Sequence, residues 1–595
     1  MNASPPHIPA NAPFSPEQRA WLNGFLAGMF GAASAEGAEA DAEAQAKPPV
    51  SILFGSQSGN AESLAKKLAK AAKKEGFQAE AIDMAAYEPG RLAEERALLV
   101  VTSTYGDGEP PDNARTLHGG LLSDQAPRLE GVRFGVLGLG DSNYPDFNQC
   151  AIEFDRRLEE LGAERICESA YCDVDYEEQA ETWKKAALSA LAQDAGPAAQ
   201  AEGEKRGQGE ERAAPAAPEA VEPPAYTKRH PFHARIKENR DLNGPGSDKE
   251  TRHIVFDLGS SGLAYQAGDA LGTRPVNSAR LVDAIIEAAG LPEDAPTPLP
   301  DGGVGPLFEA LRFHYEISRL SESFVEACAR LSEADRFRAL VESKEAMRAY
   351  LHGRGVLEPL LEERPRFPST EHLVAPLKRL QPRLYSIASS LLAHPGEVHL
   401  TVARLRWEAR GQERLGVCSN CLAEAKPGQR LPVFVHPNPG FRPPADAATA
   451  AIMVGPGTGV APFRAFVEER TALGHTGSNW LFFGDRRSAC DFLYADELRY
   501  WQKRGRLARL DVAFSRDQDK KIYVQDRLRE AGAELFRWLE EGAHFYVCGD
   551  ASRMAKDVDA ALREIVAKES GKGAEFAGNY VEELRAAKRY ARDVY

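Results

Sequence analysis

The chain has 595 residues, 43% of them hydrophobic and 27% charged, which excludes a wholly disordered chain and, at about 150 residues per domain, implies roughly four domains. Its 73 basic and 88 acidic residues leave a net charge of −15, which disfavours nucleic-acid or anionic-membrane binding and suits a positively charged protein partner. No apolar run reaches about 18 residues, the N-terminus lacks a secretory leader, and eight cysteines are too few for a disulfide scaffold, so the expectation is a cytoplasmic protein with no membrane span.

The first predicted element is a helix within residues 14–30. Ser15 caps it, Pro16 fits its first turn, and Trp21, Phe25, Leu26, Met29 and Phe30 recur at helical spacing. One helix cannot bury that face alone. It either packs on its own chain or serves self-association or partner docking. Residues 31–49 and 195–224, rich in Ala, Gly, Pro and Glu, read as flexible linkers. Residues 50–194 alternate short apolar runs (SILFGS, ALLVVTST, FGVLGLG) with amphipathic helices, the rhythm of a parallel α/β sheet. The same rhythm returns over 446–595 in AIMVGPG, NWLFFGD and HFYVCGD. Between them, 226–445 reads as an antiparallel barrel (HIVFDLG, EVHLTVARLRW, RLPVFV) carrying a helical insertion at about 278–375.

Each apolar run of the first sheet ends in a polar, Gly-containing loop. Ser56-Gln57-Ser58-Gly59-Asn60-Ala61 can surround a phosphate with hydroxyls and backbone N–H groups at a helix N-terminus, with no Lys or Arg. An ordinary strand-to-helix turn would look the same. Ser103-Thr104-Tyr105-Gly106 and Leu139-Gly140-Asp141-Ser142-Asn143-Tyr144-Pro145-Asp146-Phe147-Asn148 each add a Tyr able to stack on a flat ring. SQSGNA, STYGDGEPPDNA and LGDSNYPDFN together resemble, in order and spacing, the FMN-site loops of flavodoxin-like domains.

Further on, Arg383-Leu384-Tyr385-Ser386 in QPRLYSIASS resembles the R-x-Y-S signature of the ferredoxin reductase superfamily. That resemblance implies Arg383 at an FAD pyrophosphate, Tyr385 stacked on the flavin and Ser386 near its N5. It places further FAD contacts at Thr401-Val402-Ala403 and Gly416-Val417-Cys418-Ser419, and more loosely at Ser318 and Trp407. Cys418 and Cys421 form a C-x-x-C that could suggest redox or zinc chemistry, but no second Cys pair or His cluster accompanies it, so no metal site is expected.

The loop Gly455-Pro456-Gly457-Thr458-Gly459 lies between a predicted strand and helix, where a pyrophosphate can approach the backbone, and Arg464 adds charge. Ser515, Arg516, Lys521-Ile522-Tyr523-Val524-Gln525 form a cationic, hydroxyl-bearing set suited to a 2′-phosphate, so NADPH is expected over NADH. From spacing alone, Cys548 in HFYVCGD reads as a buried strand cysteine and Tyr595 as a frayed terminus. The family resemblance instead groups Ser386, Cys548 and Asp593 around nicotinamide and flavin as residues assisting hydride transfer, with Tyr595 as an aromatic gate over the FAD.

The order of these motifs identifies the chain as resembling the diflavin reductase family, a multidomain α/β architecture of flavodoxin-like sheet, FAD-binding antiparallel barrel with helical insertion, and ferredoxin-reductase-type NADP-binding domain. Within it, NWLFFGD, IYVQDRLRE, HFYVCGDASRMAKDV and the terminal KRYARDVY most resemble the flavoprotein (alpha) components of NADPH-dependent sulfite reductases. That likeness adds Asp557 as an NADP contact and implies a homo-oligomer. It also implies a haem- and iron–sulfur-containing beta component that reduces sulfite to sulfide in cysteine biosynthesis. A soluble reductase for a mono-oxygenase or another haem acceptor, or a nucleotide-sensing scaffold, are the alternatives.

Overall fold

The computed structural model describes residues 47–56, 59–104, 108–141, 146–174, 176–193, 226–331 and 335–595. The predicted helix of 14–30 and the linker of 195–224 lie outside them, as do Gln57, Ser58, Tyr105, Gly106 and Ser142 to Pro145. The chain divides between Glu210 and Glu211 into two units.

In the first unit the apolar runs form a parallel sheet. Its order is Phe77–Asp83, Lys47–Gly55, Ala97–Ser103, Arg133–Leu139, with the short strands Glu164–Arg165 and Ala170–Cys172 both paired to the last. The leading strand begins at Lys47, inside the segment expected as linker. Both faces are covered, which is why these strands read as continuous apolar runs. Ile52, Phe54, Leu99 and Val101 pack against Leu68 and Trp183 on one side. Leu53, Leu98, Val100 and Val136 pack against Leu117 and Phe154 on the other. Strand order reverses between Lys47–Gly55 and Ala97–Ser103, so the crevice beyond their C-terminal ends is where such a sheet holds a ligand. Ser56 and Thr104 leave the sheet at that point. Gly59, at φ 84°, makes the left-handed step from the loop into the helix Asn60–Lys74.

The second unit carries two sheets. The antiparallel one runs Arg383–Ser386, Ala270–Thr273, Arg430–His436, Phe232–Asp241, Thr251–Asp257, Glu397–Ala403. It is not closed by a full ladder of strand pairing. Its two outer strands meet only where Ile387 bridges Leu400 and Ala388 N donates to His399 O at 2.8 Å. The R-x-Y-S motif is itself the strand Arg383–Ser386. Helices from Ala279–Ala289 to Thr370–Val374 form the insertion, around a core of its own that includes Val282, Leu311, Phe324, Phe337 and Leu360. The last sheet is parallel, in the order Arg509–Phe514, Asn479–Asp485, Ala451–Val454, His544–Gly549, Tyr590–Val594. Its strand order reverses between Ala451–Val454 and His544–Gly549, which sets the loops after Val454 and Gly549 side by side. They are so close that a Cβ on Gly459 would lie 2.1 Å from the Cys548 carbonyl oxygen. Among the described residues, no helix is long and apolar enough to cross a membrane.

Candidate functional site

Three distant segments converge at the mouth of the last sheet. Ser386 Oγ, at the end of its strand, donates to Asp593 Oδ2 at 2.6 Å, and Cys548 Sγ lies 3.9 Å from the same oxygen. Cys548 and Asp593 are register partners on adjacent strands, so the sheet itself sets their spacing. Burial raises the Asp593 carboxyl above its ordinary range, opposed by the bonds from Ser386 and Cys548. Burial, with Asp593 alongside, pushes the Cys548 thiol well up, so it stays an S–H.

Tyr595 is not frayed. The strand Tyr590–Val594 pairs with His544–Gly549, Tyr595 N donates to Gly549 O at 3.0 Å, and Ala551 N donates to Tyr595 O at 3.2 Å. Its backbone is fixed while the residue as a whole is 58% exposed, and its hydroxyl is 2.8 Å from Thr458 Oγ1. Cys548 is fully buried in its strand and still meets Asp593, so the two readings of that residue coexist.

Beside the antiparallel sheet lies a cavity of 1230 Å³, walled by the sheet, the helical insertion and the helix Val417–Glu424. It gathers Ser318, Trp407, Gly416 and Val417 from the expected FAD set, and adds Arg274, Arg312 and Arg414, which sequence reasoning missed. Gly416 caps the helix, and a Cβ there would lie 2.8 Å from Ser419 Oγ. Ser318 Oγ is held by Glu316 Oε1 at 2.5 Å. Trp407 projects from the hairpin Arg406–Ala409 and Gln412–Leu415 and is 41% exposed. Thr401 differs from expectation: its hydroxyl is buried, 2.7 Å from the Tyr494 hydroxyl, and Val402 is also buried. Only Ala403 of that trio is exposed. Burial pushes the Cys418 thiol up to about 12 and raises Cys421 as well. Neither cysteine is in a disulfide.

Arg464 departs furthest from its expected place at a phosphate. It is buried, with Nε 2.7 Å from Glu497 Oε1, Nη2 2.8 Å from Glu468 Oε1, and Nη1 donating to Ala388 O. Its charge is neutralised at the junction of the two sheets. Nearby, His394, Glu397 and His399 offer ligand atoms within 4.8 Å of one another, a His/Glu cluster that sequence reasoning did not foresee. Arg464 Nη1 sits 3.4 Å from His399 Nδ1, and Lys237 pairs with Glu397, so protein cations already face this group.

At the nucleotide sheet, Gly457, at φ 56°, opens the turn Gly457–Val460, with Thr458 next in it. Ser515 N donates to Asp485 O at 3.0 Å, and Arg516, Lys521 and Tyr523 are exposed at the strand ends. Gln525 Nε2 donates to Asp557 Oδ2 at 3.1 Å, joining two expected contacts. Ile522 is half-buried, and the Val524 side chain is buried in the core.

In the first unit, Ser56 N donates to Asn113 Oδ1 at 2.8 Å, and Asn113 Nδ2 bonds Asp83 Oδ1 at 2.9 Å, tying the loop to the sheet. Asn113 lies near the end of STYGDGEPPDNA. Thr104 Oγ1 accepts from Cys150 N at 3.2 Å, and Ser103 Oγ lies 3.5 Å from Gly55 O. Leu139, Asn148 and Ala61 are buried; Asn148 turns inward to Cys172 O at 3.0 Å and shapes the loop. A Cβ on Gly140 would lie 2.9 Å from Phe147, and one on Gly108 2.8 Å from Asp146 Cβ.

Family models match in the same order: Flavodoxin over residues 52–185, FAD binding domain over 224–421, and Oxidoreductase NAD-binding domain over 453–560. A sulfite reductase (NADPH) flavoprotein alpha-component of Bacillus subtilis (strain 168) is 44% identical over 590 residues, spanning 97% of this chain and 95% of the relative. Those of Klebsiella pneumoniae and Vibrio cholerae are 41% and 43% identical, over 98% and 97% of this chain and 96% and 93% of theirs. The chain belongs to this family of flavoprotein alpha-components. It is an oxidoreductase, and its three domains support FMN, FAD and NADPH as cofactors.

The residues present fit these groups. Ser56 Oγ is buried with no partner among the described residues, an orphaned donor where the FMN phosphate would sit. Arg414 Nε, on the wall of the 1230 Å³ cavity, is likewise buried without a partner.

Proposed function

We propose that the chain takes electron pairs from NADPH and passes them singly to a haem- and iron–sulfur-containing beta component that reduces sulfite to sulfide, in the service of cysteine biosynthesis. When bound, FAD accepts hydride and FMN releases single electrons, which a haem or iron–sulfur acceptor requires. The observation that carries this reading is the meeting of Ser386, Cys548 and Asp593 from three separated segments at the mouth of the nucleotide sheet.

Within that cluster Asp593 accepts the Ser386 proton and so fixes the hydroxyl's direction, while the undissociated Cys548 thiol keeps a second charge out of the site. Tyr595 shields this mouth. Because its backbone is bonded on both sides, admitting a nicotinamide needs only the ring to swing and the Thr458 bond to break. Gly457 and Thr458 with Ser515, Arg516, Lys521, Tyr523, Gln525 and Asp557 hold the nucleotide. Arg383 and Tyr385 with the cavity residues Ser318, Trp407, Gly416 and Val417 hold FAD, and Ser56 to Ala61 with the loops after Ser103 and Leu139 hold FMN.

The charge distribution supports a basic electron acceptor. Residues 50–194 carry 15 basic and 26 acidic side chains, whereas 226–595 carry 53 and 51. Electrostatic steering would therefore act on the flavodoxin-like unit. The test is to mix the purified protein with a sulfite reductase beta component and follow NADPH oxidation. Oxidation that depends on sulfite and weakens with salt is expected; flavin reduction without any sulfite-dependent turnover would overturn the acceptor assignment.

A further inference from the structure

The segment linking Phe232–Asp241 to Thr251–Asp257 leaves the antiparallel sheet and is seated on the nucleotide sheet. Gly244 N donates to Cys490 O at 2.7 Å. Asn243 Nδ2 and Ser247 Oγ donate to Asp491 Oδ1 at 2.9 and 2.5 Å, and Lys249 Nζ pairs with both oxygens of Asp485 at 2.7 and 2.8 Å. These bonds carry Asp248 to the C-terminal ends of Asn479–Asp485 and Arg509–Phe514, neighbouring strands whose following residues supply arginines. Asp248 Oδ2 lies 2.9 Å from Arg516 Nη1, and its Oδ1 lies 2.9 Å from Arg486 Nη1 and 3.7 Å from Arg487 Nη1. One half-exposed carboxylate thus faces three guanidinium groups.

We propose that Asp248 is a specificity-determining residue that competes with the 2′-phosphate of NADPH for this arginine cluster, and that Arg486 and Arg487 join Arg516 as partners of that phosphate. The inference rests on the reading that Arg516 meets the 2′-phosphate. Three cations are more than one carboxylate can neutralise, so the cluster attracts a dianion even with Asp248 in place. The carboxylate lowers that attraction, because two anions sharing one site repel each other. Arg486, with Arg516 contributing, holds the Asp248 carboxyl down at about 2, so the competing charge is always present. A bare ribose hydroxyl, as in NADH, gains or loses little from Asp248. The residue therefore tunes binding only of nucleotides bearing the extra phosphate. Its loop is anchored by Gly244, Asn243, Ser247 and Lys249, so removing the carboxylate leaves the segment seated.

The full-length, flavin-loaded enzyme is titrated with 2′,5′-ADP and with 5′-AMP, comparing the parent, Asp248→Asn and Arg516→Ala. Asp248→Asn should bind 2′,5′-ADP about twofold to fivefold more tightly, the range of an exposed charge pair, with 5′-AMP unchanged. That gain should vanish near about 1 M salt, where screening acts within about 3 Å. Arg516→Ala should weaken 2′,5′-ADP. If it does so while Asp248→Asn binds no more tightly than the parent, the competition is disproved and the 2′-phosphate assignment survives. If Arg516→Ala binds 2′,5′-ADP like the parent, the assignment fails and the competition with it.

Discussion

The two parallel sheets share a plan and differ in charge. In both, the strand order reverses at the centre and the loops leaving that point form the ligand crevice. At the first, the described donors are neutral: Ser56, Thr104 and backbone N–H groups, in a segment with 15 basic and 26 acidic residues. At the second, Arg486, Arg487, Arg516 and Lys521 crowd the strand ends. A phosphate needs hydrogen-bond donors, and a loop can supply them without net charge. Cations become necessary where one nucleotide must be told from another by an added phosphate. On the proposed reading, the neutral solution leaves the first domain free to stay anionic for a basic acceptor, and the cationic one turns charge into selectivity.

Substitutions at the two nucleotide crevices probe that difference. The largest effect belongs to Asp593→Ala, which removes the acceptor shared by Ser386 and Cys548. Bleaching of the flavin by NADPH in a stopped-flow mixer should slow about 10²-fold or more with FAD content unchanged, and an unaltered rate would remove Asp593 from the chemistry. Arg516→Ala should raise the KM for NADPH about tenfold to a hundredfold, the worth of a charge-assisted bond, and leave NADH oxidation alone. If both nucleotides suffered equally, the cations would be serving the fold rather than selectivity. Ser56→Ala should loosen FMN about tenfold, read by flavin retained after dialysis, with no loss of FAD.

The smallest expected effect concerns the junction. Burial and the neighbouring Arg464 lower His399 from 6.5 to about 4, and the same causes take His253 to about 2. The unfolded chain binds these protons from pH 6.5 downward while the folded one resists, so stability is lost as pH falls from 6.5 towards 4. His399→Gln should flatten that loss in denaturant midpoints across the window; an unchanged slope would assign it elsewhere.

Much of this was legible because apolar runs closed by Gly mark parallel strands, and because loops at strand ends carry their chemistry in consecutive residues. Ser56, Gly416 and Thr458 are read that way, and the structure sets each in a loop, cap or turn beside a strand or helix end. Arg464 could not be placed from its neighbours: it follows the Gly-rich loop in sequence, yet its helix turns it into the junction, where Glu468, Glu497 and the Ala388 carbonyl receive it. The meeting of Ser386 with Asp593, separated by 207 residues, is a product of tertiary folding that no local spacing encodes. Thr401 shows the limit of a motif, since its strand buries the hydroxyl against Tyr494. Nothing in the local sequence marks Arg486 and Arg487, which meet Asp248 only through the tertiary fold.

Pigment released from the purified, fully loaded chain by acid and resolved by chromatography tests the account most directly. Equimolar FMN and FAD, one of each per polypeptide, is the expected result. A single flavin species per polypeptide would contradict the conversion of hydride pairs into single electrons on which the account is built.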